Sequence, residues 1–279
     1  MKPAPFAYKK ARSLDEAIAL LGEHKDARLL AGGQSLIATL NMRLSSPNVL
    51  IDINGIGGLD RIEEKSGAVE IGALVRHVQA ERSEIIAKLV PLIARAMPYI
   101  GHPAIRNRGT LGGSIAFADP AAELPACLLA LDGEVDATGP KGKRTIKTAN
   151  FFTGLFETAL GPQEILTAIR IPVANKETRV GFAELARRHG DYAIVGLAAS
   201  ARSDGKGLKD VRLSFFGAGD TPSRSRDAET ALESGDVDAA VDALNLEPHD
   251  DVQATGATKK HLAGVLLRRV AQQLMEPRA

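Results

Sequence analysis

The 279-residue chain carries a formal charge of +1, with 44% apolar and 25% charged residues. Near-neutral charge, 4% aromatic residues and no Trp argue against a nucleic-acid surface, whether electrostatic or built on base stacking. One cysteine, Cys127, excludes an internal disulfide and a four-thiolate iron–sulfur cluster.

The opening residues Met1–Phe6 lack the apolar run of a signal peptide. A capping box of Ser13 and Glu16 then starts a helix with Leu14, Ala17, Ile18 and Leu21 on one face. A strand at Ala27–Leu30 runs into Gly32-Gly33, and a helix from about Ser35 carries Leu36, Leu40 and Leu44. Val49–Ile53 reads as a buried strand closed by Asn54-Gly55. Leu59–Glu63 and Val69–Gly72 read as strands joined by a turn at Lys65-Ser66-Gly67. One helix is expected over Ser83–Met97, stopped by Pro98.

A glycine-rich loop at Gly109–Gly113 precedes a helical stretch around Ala121–Leu131. Glu134–Thr138 and Arg144–Lys147 form a hairpin, and Ile165–Ile171 is a strand closed by Pro172. Beyond a polar, linker-like Val173–Thr178 come three strand patterns, Val180–Arg187, Ala193–Arg202 and Leu208–Gly217. Three helical patterns follow, the last at Lys259–Met275. At this length, above roughly 250 residues, two domains are expected, with a boundary near residue 175. Strands followed by helices predict an α+β fold.

Two motifs bear chemistry. In Leu29-Leu30-Ala31-Gly32-Gly33-Gln34-Ser35-Leu36, paired glycines between strand and helix allow close backbone approach, and the amides of Gly33, Gln34 and Ser35 suit a phosphate. Arg108-Gly109-Thr110-Leu111-Gly112-Gly113-Ser114 repeats the pattern. Each alone is equally a plain tight turn. Together they predict two amide nests facing one pyrophosphate, with no call on basic side chains. No Gly-x-Gly-x-x-Gly follows a strand, and Arg144 stands where a Walker loop needs Ser or Thr. Six scattered histidines (His24, His77, His102, His189, His249, His261) show no metal-ligand spacing.

Those two glycine motifs, followed by Asp119-Pro120-Ala121-Ala122-Glu123-Leu124-Pro125, resemble the FAD-binding medium subunits of the molybdenum hydroxylases, of carbon monoxide dehydrogenase and xanthine dehydrogenase type. The likeness runs over nearly the whole chain, through Asn48–Asn54, Glu164–Pro172 and Arg187–Val195. It implies a two-lobed, PCMH-type (vanillyl-alcohol-oxidase-like) FAD domain at 1–175, with lobes of about 1–57 and 58–175. A C-terminal α+β domain at 176–279 would pair a three-stranded antiparallel sheet with three helices. It also implies site residues. Leu29, Leu30 and Ala31 through Leu36 would wrap the pyrophosphate, and Thr110, Gly112, Gly113 and Ser114 would form the second loop. Asp119 and Glu123 would meet ribityl or ribose hydroxyls; both are equally at home as charges at a helix start. Ile100, Gly101 and Leu166 would line the adenine or ring pocket, or serve as plain core. Tyr192 would cover one flavin face, or simply end a strand.

By the same resemblance, no side chain here is catalytic. Electrons would leave a molybdenum cofactor in a large subunit, cross two 2Fe–2S clusters in a small subunit and reach FAD in this chain. They would then pass to an external acceptor. A dimer of heterotrimers in the cytoplasm is implied, with no membrane span and no nucleic-acid partner. A stand-alone flavin oxidoreductase of the same fold and a non-enzymatic assembly protein stay open as alternatives.

Overall fold

The computed structural model describes residues 1–276. Strands β1 (Ala7–Lys10), β2 (Ala27–Leu30) and β3 (Val49–Asp52) form a small parallel sheet in the order β1-β3-β2. Helix α1 (Leu14–Glu23) links β1 to β2, and α2 (Leu36–Asn41) links β2 to β3. Ser13 accepts from the Glu16 amide, while the Glu16 carboxylate accepts from the Arg12 amide, so the cap closes one residue earlier than the motif implies. β1 escaped the sequence pattern because Ala7, Tyr8 and Lys10 are exposed and show no apolar alternation. Helix α2 stops at Asn41, which leaves Leu44 off it and exposed.

The second sheet has the order β4-β5-β10-β6-β7. It comprises β4 (Ile62–Lys65), β5 (Ala68–Gly72), β6 (Glu134–Gly139), β7 (Gly142–Lys147) and β10 (Ile165–Pro172), with a two-stranded ribbon, β8 (Phe152–Gly154) and β9 (Glu157–Thr158), beside it. Ser66 and Gly67 both take positive φ, the geometry of a two-residue hairpin turn. The expected helix over 83–97 is two helices, α4 (Glu84–Leu89) and α5 (Pro91–Ala96), after a short α3 (His77–Glu81). Pro91 has no N–H and disfavours helical geometry at Val90, which sits at φ −136°, ψ 58°. Pro98 lies in a 3-10 turn beyond the break. Three further helices complete this region: α6 (Pro103–Arg106), α7 (Leu111–Phe117) and α8 (Glu123–Ala130).

The third sheet is antiparallel, β11 (Thr178–Ala186), β12 (Ala193–Ser203) and β13 (Leu208–Phe216), extended by a two-residue fourth strand, β14 (Ser223–Arg224). One face, through Phe182, Ala198 and Phe216, joins the core shared with α5 and α8. The other packs on α9 (Arg226–Glu233), α10 (Val237–Asp242) and α11 (Gly256–Met275). Phe182 stacks on Phe216 at 5.8 Å and meets Tyr99 at 5.1 Å. Burying each such ring contributes about 1.5–3 kcal/mol. Gly196 has no side chain because the Phe216 ring fills that space. Side chains cap individual positions on both borders of this sheet. Gln273 accepts from the Phe182 N–H (2.9 Å) and donates to its carbonyl (3.2 Å). Glu229 and Glu233 accept from the N–H groups of Leu213 (2.9 Å) and Val211 (2.8 Å).

Candidate flavin-nucleotide site

The two glycine motifs meet. A Cβ built on Gly32 would lie 2.5 Å from the Arg108 carbonyl oxygen and 2.8 Å from the Gly109 Cα, so only glycine lets these backbones touch. A Cβ on Gly113 would lie 3.8 Å from that of Ala31.

Their main-chain donors differ. Gly33 turns the chain at φ +72°, and none of the N–H groups of Gly32, Gly33, Gln34 and Ser35 donates to a protein acceptor among the described residues. The second motif is closed. Leu111 N–H donates to Val75, Gly112 to Ala73, Gly113 to the Thr110 hydroxyl (3.1 Å) and Ser114 to the Thr110 carbonyl. Gly112 and Gly113 lie inside the first turn of α7 rather than ahead of it. A Cβ on Gly112 would sit 2.5 Å from Ala73 Cα, and one on Gly113 2.6 Å from the Thr110 hydroxyl. Where the sequence suggested two facing amide nests, the structure supplies one nest and one close-packed turn against it. With six residues, α2 adds little macrodipole, so the free amides themselves carry the anion preference.

Polar side chains surround the nest. Tyr192 is 57% exposed, and burial and the nearby carboxylates of Asp119 and Glu123 raise its pKa. Gln34 donates to the Gly32 carbonyl at 3.3 Å. Asp119 accepts from the Ala121 amide at 3.0 Å, and burial raises its pKa. Glu123 is 8% exposed at the start of α8, and burial together with Asp119 pushes its carboxyl well above the usual range. Glu184 of β11 is shifted the same way by burial and by Glu123. Gly190 is pressed on Gly101, which brings the 187–192 loop to the 99–102 segment. Ile100 and Leu166 are buried members of the main core. Leu29 packs against the cluster that holds Ala17, Val49, Ile51 and Ile165, and Leu30 lies against Gly33.

Sequence reasoning missed Asn54, Arg76 and His77. Asn54 donates to the carbonyls of Ala31 (2.9 Å) and Leu30 (3.3 Å) and to Asp52 (2.6 Å). Tyr8 donates to the other Asp52 oxygen at 2.5 Å. Arg76 donates to Asn54 Oδ1 at 2.6 Å and to the Arg108 carbonyl. The His77 ring lies under Gly109, 5% exposed, and burial lowers its pKa to about 4. Asn54 follows a predicted strand end, a weak signal; Arg76 caps and His77 opens a helix too short to show in the pattern.

The Gly32–Ser35 amides are thus a row of main-chain donors without protein acceptors among the described residues, a donor set whose chemistry suits an anion. Residues 4–174 match the FAD binding domain in molybdopterin dehydrogenase, and residues 181–274 the CO dehydrogenase flavoprotein C-terminal domain. The chain belongs to the FAD-binding medium subunits of the carbon monoxide dehydrogenase and xanthine dehydrogenase family, and is an oxidoreductase subunit. It is 38% identical to the 6-hydroxypseudooxynicotine dehydrogenase complex subunit alpha of Paenarthrobacter nicotinovorans, covering 96% of this chain and 94% of the relative. It is 35% identical to the carbon monoxide dehydrogenase medium chain of Hydrogenophaga pseudoflava, covering 96% of each. Among solved structures it superposes on the reconstituted CO dehydrogenase from Oligotropha carboxidovorans with a TM-score of 0.96, 32% identity and full coverage of both chains.

Proposed function

We propose that this chain is the FAD-carrying electron-transfer subunit of a heterotrimeric molybdenum hydroxylase. The observation that carries the reading is the unpaired amide row of Gly32–Ser35 pressed against the Arg108–Gly113 turn. The residues fit the cofactor. The amides from Gly32 to Ser35, with Ala31 and Leu36 flanking, would hold the pyrophosphate. Thr110, Gly112, Gly113 and Ser114 would form its packed floor. Glu123 and Asp119 would take hydroxyls of the ribityl or ribose chain. Ile100, Gly101 and Leu166 would border the adenine or ring pocket, and Tyr192 would cover the ring. When bound, FAD supplies a redox group able to link one-electron carriers to two-electron acceptors. The protein's own part is to orient it and exclude water around it.

Electrons would enter from two 2Fe–2S clusters of a small subunit, fed by a molybdenum cofactor in a large one, and leave to an external acceptor. The relatives' names, "medium chain" and "complex subunit", support partners of this kind. We further assign the FAD unit to residues 1–175, with lobes of about 1–57 and 58–175, and a C-terminal unit to 176–279, whose last three residues lie outside the described ones. A dimer of heterotrimers in the cytoplasm completes the reading. Among the described residues no helix is long and apolar enough to cross a membrane.

The test is the visible spectrum of the purified full chain, alone and co-expressed with candidate large and small subunits. The expected result is a protein-bound flavin spectrum, and substrate-driven bleaching of it in the assembled complex alone. A colourless chain in both preparations, or turnover of an organic substrate by the chain by itself, overturns the reading.

A further inference from the structure

We propose that Arg76 and Asn54 form a clasp that sets the spacing of the two glycine turns, and so are positioning residues for the bound cofactor. The proposal rests on the FAD reading above. Asn54 closes β3 in the first lobe, and its side-chain amide ties down the carbonyls of Leu30 and Ala31, at the entry to the open nest. Asp52 orients that amide by accepting from both the Asn54 N–H (2.8 Å) and Nδ2, and Tyr8 holds Asp52 from β1. Arg76 lies in the second lobe. Its main chain is fixed separately, its N–H donating to Gln79 Oε1 at 2.7 Å. The guanidinium is therefore free to span: one nitrogen reaches Asn54 Oδ1 and the other the Arg108 carbonyl. That same carbonyl is the atom against which Gly32 is packed. Arg76 thus joins the second turn to the first through Asn54, at their point of closest approach.

The partners are also chemically telling. Arg76 donates to an amide oxygen and a main-chain carbonyl, while the carboxylate that attracts it, Asp52, is bonded to Asn54 and Tyr8 rather than to Arg76 itself. Arg108 adds a second cation beside it. An interaction meant for stability alone would pair such a guanidinium with a carboxylate. Here the fork geometry fixes distance: its two nitrogens hold the Arg108 carbonyl and Asn54 Oδ1 apart at a set span. Lysine cannot reproduce this, since a single ammonium lacks the planar fork that reaches two acceptors.

The experiment is FAD titration of the apo full chain, read by quenching of flavin fluorescence, with thermal melts of the apo proteins as a folding control. Wild type must bind; if it does not, the proposed function fails and the clasp is not what failed. Given binding, Arg76→Gln and Arg76→Lys should each raise Kd about tenfold, the loss of one charge-assisted contact. Asn54→Ala should raise it about three- to tenfold, less because Asn54 is exposed. The Arg76→Gln/Asn54→Ala double variant should bind within about twofold of Arg76→Gln, since the two residues act as one unit. Arg76→Lys binding like wild type would reduce Arg76 to a bare charge and overturn the clasp. So would effects that multiply in the double variant. Should the Arg76 variants fail to fold, Asn54→Ala decides: a wild-type Kd in that folded protein overturns the proposal.

Discussion

The two glycine turns look alike in sequence and do opposite things. In the first, glycine frees the main chain: Gly33 adopts φ +72°, and the amides of Gln34 and Ser35 find no protein acceptor among the described residues. In the second, glycine lets the main chain be crowded: Gly112 lies on Ala73, Gly113 on Thr110, and every amide from Leu111 to Ser114 is already bonded. A Gly-Gly pair is therefore not by itself an anion site. What separates an open turn from a closed one is whether a neighbouring strand or cap lies within reach of its N–H groups.

Substitutions should break this comparison unequally. The largest effect is expected at Gly112, where any side chain meets backbone: Gly112→Val should cost about 3 kcal/mol or more, seen as loss of soluble protein or a large drop in urea midpoint. Next comes acid sensitivity of the closed turn. With its pKa at about 4 against an ordinary 6.5, His77 stays neutral in the fold while the unfolded chain takes up a proton. Stability from this group is full at neutral pH and falls as pH drops from about 6.5 to about 4, by up to about 3 kcal/mol. Arg76 and Arg106 beside it deepen the effect. Urea melts of wild type against His77→Gln should show the difference shrinking to nothing in the variant. Glu123 and Glu184, shifted upward, act in the opposite sense over an overlapping range, so the comparison between the two proteins is what isolates His77.

The open turn should respond differently. Gly33→Val should cost about 1–2 kcal/mol of stability, for a β-branched residue at positive φ, with soft neighbours in Ile37 and Leu30. Its FAD content should nevertheless fall below about a tenth of wild type, since one lost amide orientation at 1.4 kcal/mol already gives tenfold. Equal flavin in the variant and wild type would show that the nest is not the anchor. Smallest is Thr110→Val, which removes the cap on the Gly113 amide and should cost about 1 kcal/mol. If it instead opens the second turn and strengthens FAD binding, the division between open and closed turns is wrong.

Much of this was legible in the sequence because it is local. Period-two runs such as Ala193–Arg202 and the capped start at Ser13 announce themselves within ten residues. The open turn was legible too, as a strand running into Gly32-Gly33. The break at Pro91 was readable but masked by the helical spacing of Ile86, Leu89, Val90 and Ile93 on both sides. What stayed hidden is long-range. The closing of the second turn depends on Ala73 and Val75 presenting carbonyls to it, and the Arg76 contacts cross 22 and 32 residues. No spacing rule reports such pairs. Strand β1 was hidden for another reason: its neighbours, not its own composition, make it a strand.

The capped positions on the borders of the third sheet bear on how this chain can be built into something larger. Strand addition needs a ribbon of vacant peptide groups, and such ribbons also invite misassembly. Gln273 imitates a peptide unit at Phe182 on one rim, while two glutamates of α9 take the Val211 and Leu213 N–H groups on the other. A companion strand would have to displace those side chains first, whereas side-chain surfaces can be recognised directly, and their shape and charge can diverge while the scaffold beneath stays the same.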